Sequence, residues 1–170
     1  EGLLGIIVEV TVKLLPRPDT VQVLLVSFSD VAAAGASVAN VVAAGIIPAG
    51  LELMDNAAIR AAEDFVHAGY PVDAAAILIC EIDGPQDDVA EQVRRVSEVF
   101  KQSGADEVRI ANSEAERKQF WAGRKAAFPA VGRISPDYYC MDGTIPRYQL
   151  PSVLKKISEL SKEYGLLVAN

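Results

Sequence analysis

The sequence has one histidine, two cysteines and one tryptophan among its 170 residues. The single histidine, His67, precedes Ala68-Gly69-Tyr70-Pro71 and reads as an exposed residue at a helix end. No Ser/His/Asp set can be assembled around it, and no Gly-x-Ser-x-Gly turn exists. With one histidine and two distant cysteines, Cys80 and Cys140, no zinc-type metal cluster can be built. Two cysteines also exclude a disulfide scaffold. Both fall in expected strands as small buried hydrophobes, which points to a reducing, cytosolic compartment. No apolar run reaches the roughly 18 residues of a membrane span, and no basic-then-apolar leader opens the chain. Positive charge is sparse: the net charge is −7, and no Lys/Arg cluster exceeds a pair. Phosphate backbones reward dense positive patches, so nucleic acid is excluded as a partner. No glycine-rich phosphate turn follows any strand after residue 20, which argues against a Rossmann-type nucleotide domain.

What is present is a folded-protein composition, 51% hydrophobic and 23% charged, with enough chain for one well-packed domain. The chain opens on Glu1 rather than Met, and its first residues already read as the inside of a folded unit. The expectation is a piece of a longer polypeptide. Residues 5–15 are β-branched and mostly apolar, hence a buried strand. Pro16-Arg17-Pro18-Asp19 breaks it and forms the one convincing linker.

Strands and helices alternate beyond that linker. Residues 21–28 predict a strand, and Asp30 caps a small-residue helix to about Ala44. A short strand at 51–54 leads to a helix capped by Asp55, with Ile59, Ala62, Phe65 and Val66 on one face. Strand 74–82 precedes the clearest helix, where Val89, Val93, Val96 and Phe100 follow a 4-3-4 spacing. A strand at 108–111 ends where Ser113 and Glu116 form a capping-box pattern. Residues 138–145 predict a further strand. Pro151 then starts a helix with Val153, Ile157, Leu160 and Tyr164 inward, and a last strand begins at 166. Polar residues at alternate strand positions, as in Glu52 and Tyr138/Cys140/Asp142, imply a less buried sheet face. The expected fold is α+β: a ferredoxin-like antiparallel sheet with helices packed on one face, preceded by one extra strand.

The stretch 117–147 carries the most unusual chemistry. At ~100° per residue, Phe120, Trp121, Arg124 and Phe128 fall within one arc about 100° wide, on a helix that Pro129 helps to end. A guanidinium on an aromatic face can recognise an anion, because its planar fork of donors suits a carboxylate. It can equally be an amphipathic arginine whose stem covers the core while its head reaches solvent or an aspartate. The paired acids Glu52/Asp55 and Glu81/Asp83 lie at strand ends and read as caps. Asp142 is either a partner for a buried arginine or a turn-former with Gly143.

Several of these pieces together are more specific than any one alone. Glu1-Gly2-Leu3-Leu4-Gly5-Ile6-Ile7-Val8-Glu9 resembles the end of the FAD-binding domain in FAD-linked oxidases of the vanillyl-alcohol oxidase type, where the pattern is close to Glu-Gly-Thr-Leu-Gly-Ile-Ile-Thr-Glu. Leu51-Glu52-Leu53-Met54-Asp55, Trp121-x-x-Arg124-x-x-x-Phe128 and Asp142-x-x-Ile145-Pro146 resemble the substrate-side domain of the same family. Among its members the FAD-binding subunits of bacterial glycolate oxidases are nearest, with D-lactate and D-2-hydroxyglutarate dehydrogenases as relatives.

The resemblance implies that residues 1–16 end the FAD-binding domain and that 17–170 form the substrate-binding cap. It implies a flavoenzyme that oxidises a small 2-hydroxy acid, glycolate foremost, by hydride transfer to FAD. Electrons would leave through other glycolate oxidase subunits or a quinone. Gly2, Gly5, Ile6 and Ile7 match the FAD-contacting segment, and Arg124 matches the arginine that holds the substrate carboxylate. Cys140 stands where hydroxyglutarate relatives carry lysine, which implies a monoacid substrate. The family's histidine motif would follow Asn170, so no catalytic residue is expected in these residues, and the chain by itself is expected to be inactive and to retain no FAD. The implied location is the cytoplasm, with membrane association through partner subunits. The alternatives are D-lactate specificity or a stand-alone ferredoxin-like binding module.

Overall fold

A computed structural model describes residues 3–14 and 16–170. Four strands form one antiparallel sheet: β1 (Thr20–Phe28), β2 (Gly50–Asp55), β3 (Ala76–Gly84) and β4 (Glu107–Ile110). Their spatial order is β2-β3-β1-β4. The central pair is in continuous register from Thr20 opposite Gly84 to Phe28 opposite Ala76. This order and the antiparallel pairing agree with the ferredoxin-like expectation.

The helices are α1 (Val31–Ala43), α2 (Asn56–Val66), α3 (Gln86–Gln102), α4 (Glu114–Lys125), α5 (Ala127–Ile134) and α6 (Leu150–Tyr164). The expectation of helices on one face holds for α1 and α3, but α2 and α4 cover the other face, so the sheet is buried on both sides. The cause lies in the central strands. Leu24, Val26, Phe28, Leu78, Cys80 and Ile82 enter one core with Val41, Val96 and Phe100. The alternate residues Val23, Leu25, Ile77 and Ile79 enter a second core with Met54, Ile59, Tyr70 and Phe120. Residues 23–26 of β1 and 76–80 of β3 are apolar at every position, and such runs need cover on both faces.

Local rules account for the helix boundaries. The Asp30 carboxylate accepts from the N–H groups of Ala32 and Ala33, at 3.2 and 3.1 Å. Asp55 accepts from Ala58 N–H at 3.0 Å. Each satisfies amides that a helix start leaves without an intrahelical partner. The small residues of α1 admit a close neighbour, though it is a helix: a β-carbon on Gly35 would stand 3.2–3.4 Å from Pro151 at the start of α6. On α6 the buried residue is Leu154, while Tyr164 and Leu160 are exposed, so its inward face is shifted from the expected one. Pro129 does not end α4. It lies in the first turn of α5, where its missing N–H costs no hydrogen bond.

Three expected strands do not form. Residues 5–14 form no regular structure and are exposed, with Ile6, Ile7 and Val8 in solvent; Leu15 lies outside the described residues. Residues 138–145 are irregular, with Tyr139 and Met141 exposed. The segment 166–170 is likewise irregular, although Asn170 is fixed to Asp55 through both its main chain and its side-chain amide. β-Rich composition gives a segment the tendency to extend, but a strand exists only where a neighbour pairs its N–H and C=O groups. Among the described residues, 5–14 and 138–145 pair with no strand, and 166–170 meets the edge strand β2 at Asp55 without forming a ladder. Among the described residues, no helix is long and apolar enough to cross a membrane, and no acid, cysteine or histidine group could hold a metal ion.

The two thiols have opposite environments. Cys80 is buried in β3, and Cys140 is exposed. Burial, reinforced by the neighbouring Glu81 charge, pushes the Cys80 thiol up to about 12. Only thiolate reacts quickly with disulfide reagents. Titration of the native chain should therefore label one thiol promptly and the second only after denaturation. Prompt labelling of both would show that β3 is not protected.

Candidate functional site

Helix α4 packs over β1 and reaches β4, β3 and β2 through its side chains, and its position is set at three points. At its start, the Ser113 hydroxyl accepts from Glu116 N–H at 3.2 Å. The Glu116 carboxylate accepts from Asn112 N–H at 2.8 Å rather than from Ser113, and so closes the cap one residue earlier than the usual box. Glu116 also pairs with Arg109 at 2.8 Å, whose guanidinium stacks 4.7 Å from the Phe120 ring centroid. The Asn112 N–H first, then Arg109, hold the Glu116 carboxyl below the usual carboxylate range.

The second point is Tyr70. Its ring is buried against Gly123, and its hydroxyl donates to the Phe120 carbonyl inside α4. Burial raises the phenol well above its ordinary value, and a hydrogen bond from the Arg124 main-chain N–H partly offsets this. Only a residue without a β-carbon lets the Tyr70 ring approach the helix this closely.

The third point is Trp121. Its indole Nε1–H donates to Glu81 Oε2 at 2.8 Å. Its ring lies over Gly50 of β2, where a β-carbon would stand 3.3 Å from the ring edge. Glu81, Trp121, Arg117, Lys118 and Lys125 line a cleft of about 550 Å³.

Arg124 follows Trp121 by three residues, faces β2, and does not line that cleft. Its Nε–H donates to Glu52 Oε2 at 3.1 Å. Both side chains are a little more than a third exposed, so this pair contributes at most about 1 kcal/mol to folding. Among the described residues no protein group accepts from the terminal Nη nitrogens of Arg124. The guanidinium is thus held by one edge and open at the other, an arrangement that can take a carboxylate end-on through two parallel hydrogen bonds.

The sequence arc of Phe120, Trp121, Arg124 and Phe128 divides in three dimensions. Phe120 is fully buried and Trp121 half-buried, while Phe128 is exposed on α5 because α4 stops at Lys125. Glu52 and Glu81, read from sequence as caps, are instead the partners of Arg124 and Trp121. Asp55 does cap α2. Their shared signal was parity along the strands: Glu52 and Met54 alternate on one face of β2, as Ile79 and Glu81 do on β3. Asp142 lies in the exposed segment 138–145, without a hydrogen-bond or ion-pair partner among the described residues. Gly5, Ile6 and Ile7 are exposed on the irregular opening segment, and Gly2 lies outside the described residues.

Residues 17–170 match the model of the C-terminal domain of FAD linked oxidases. The chain is 64% identical over its whole length to the glycolate oxidase subunit GlcD of Escherichia coli K12, and covers 34% of that protein. It is 33% identical over 99% of its length to the subunit of the same name from Bacillus subtilis, covering 36% of it. A probable mitochondrial D-lactate dehydrogenase of Danio rerio is 29% identical over 91% of the chain and is covered to 31%. The chain therefore spans about a third of the length of these relatives. Among solved structures, an alkyldihydroxyacetonephosphate synthase superposes with a TM-score of 0.60 at 14% identity, covering 85% of this chain and 31% of that one. That likeness is one of fold. The match over residues 17–170 and the 64% identity over the whole chain place it in the family of FAD linked oxidases, to whose C-terminal domain it belongs.

Proposed function

We propose that this chain is the substrate-side domain of a flavin-dependent oxidoreductase that converts glycolate, or a 2-hydroxy acid of similar size, to the 2-oxo acid. The observation that carries the reading is Arg124, held by Glu52 through Nε with its Nη edge open. Its support is the 64% identity to a protein named as a glycolate oxidase subunit, against 29% to one named as a D-lactate dehydrogenase. In this reading Arg124 orients the acid by its carboxylate, and the Trp121–Glu81 pair fixes the helix turn that carries it. Residues 1–16 belong with the FAD-binding domain and 17–170 form the cap.

The opening segment fits a role against FAD. Its described residues 5–14 are exposed, and nothing lies within 4 Å of where a β-carbon on Gly5 would be. Gly5, Ile6 and Ile7, with Gly2, would offer main-chain amides to the cofactor's oxygens. The chemistry FAD supplies there is uptake of the hydride from the substrate's α-carbon. We assign no catalytic residue to this chain, whose side chains bind and orient. The protein would work in the cytoplasm and pass electrons to partner subunits or a quinone.

The test is anaerobic reduction of the full-length flavoprotein that carries this domain. Glycolate should bleach the flavin's visible absorbance, with an efficiency about tenfold or more above that of D-lactate, the effect of one added carbon in a fitted pocket. A flavin that neither acid reduces would overturn the assignment.

A further inference from the structure

We infer that Glu52 is a positioning and specificity residue: it holds Arg124 by the Nε edge, presents the Nη edge to the substrate's carboxylate, and restricts the site to acids with a single negative charge. The inference rests on the reading of Arg124 as the carboxylate-binding group.

The argument starts from where each partner is anchored. Glu52 lies in the middle of β2, its Cα opposite Ile79 of β3, so its backbone is fixed by the sheet. Arg124 lies in the last turn of α4, which Tyr70 and Trp121 tie down from both sides. A long arginine side chain has many rotamers, and one oxygen at 3.1 Å from Nε selects among them. Had Glu52 taken both Nη nitrogens, it would have closed the fork and left an entering acid to compete with it. It takes Nε alone.

Charge gives the second part. The Arg124–Glu52 pair sums to zero, so the first carboxylate to arrive is held by directional hydrogen bonds rather than by an excess of positive charge. A second carboxylate on the same small molecule would find Glu52 close by, whereas the cations Arg117, Lys118 and Lys125 lie in the separate cleft beside Glu81. Like charges this near disfavour each other by severalfold in affinity. A site built this way accepts glycolate-sized monoanions and rejects their dicarboxylate analogues.

Two unreactive probes of nearly equal size separate these effects: oxamate, a monoanion, and oxalate, a dianion. Their equilibrium binding to the full-length flavoprotein would be measured by calorimetry, alongside the KM and kcat for glycolate. Glu52→Gln keeps an oxygen for Arg124 Nε and removes the charge. It should raise the oxalate-to-oxamate affinity ratio about fivefold. Glu52→Ala removes both, and should bind each probe about fivefold more weakly than Glu52→Gln and raise KM for glycolate with it. An unchanged ratio in Glu52→Gln, or equal binding by the two variants, would overturn the inference. Arg124→Ala separates its failure from that of the underlying reading. If Arg124→Ala binds oxamate as the parent does, the assignment of Arg124 falls. If it loses oxamate while both Glu52 variants behave as the parent, only the role of Glu52 falls.

Discussion

Replacing Arg124 with alanine in the full-length flavoprotein should lower kcat/KM for glycolate about 100-fold or more, while the melting temperature shifts little. The magnitude follows from two parallel charge-assisted hydrogen bonds, each worth ~1.5–3 kcal/mol where one partner is charged. The small stability effect follows from the exposure of the pair, since both side chains are more than a third open to solvent. Arg124→Lys should recover only part of the loss. An ammonium is a point charge without the fork, and it has no equivalent of Nε for Glu52 to hold. Part of the effect should appear in kcat, because a carboxylate held by one bond no longer fixes the α-carbon. Unchanged kinetics in Arg124→Ala would return this residue to an amphipathic surface role.

The second large effect is on folding. Gly123→Ala should destabilise the chain by about 3 kcal/mol, read as a shift in the urea midpoint without a change in slope. The intrinsic helix preference runs the other way, since alanine is favoured over glycine by ~1 kcal/mol inside a helix. Packing decides the sign here, because the new β-carbon would overlap the ring and hydroxyl of Tyr70. That ring cannot yield easily: it is buried, and its hydroxyl is committed to the Phe120 carbonyl. In a Tyr70→Ala background the same substitution should cost nothing or stabilise slightly, so the two changes are strongly coupled. Additive effects in that cycle would show that α4 does not rest on Tyr70. Because Arg124 is the next residue, a folded Gly123→Ala protein should also show a raised KM for glycolate.

These two residues illustrate different degrees of legibility. Arg124 was visible in the sequence as a charge on an aromatic arc, and the family resemblance implied a carboxylate-binding role for it. Its partner was not visible, because Glu52 is 72 positions away and only the sheet brings β2 under α4. Gly123 carried no sequence signal at all. A glycine inside a helix pattern resembles a weak point until the ring that requires it is known.

The elements themselves divide along the same line. Caps and helix faces were legible because their causes are local. Asp30, Asp55 and Ser113 bond to amides two or three residues away, and Val89, Val93, Val96 and Phe100 share a face by helix geometry alone. The antiparallel sheet was legible from the alternation of short elements. That helices cover both of its faces follows from the apolar runs 23–26 and 76–80, a signal that the polar alternation of the edge segments masks.

Local chemistry, then, is settled by the order of residues: where helices begin and end, which side chains form one face, and which family the motifs belong to. Pairing is settled only by the folded chain. Residues 5–14 and 138–145 have strand composition yet remain outside the sheet, because extended backbone becomes a strand only when a neighbour satisfies its hydrogen bonds. Glu52 and Glu81 have the composition of caps yet become the partners of Arg124 and Trp121, because side-chain parity and the position of α4 place them there. Contacts between residues far apart in the chain depend on the whole packing arrangement, and no short stretch of sequence carries that information.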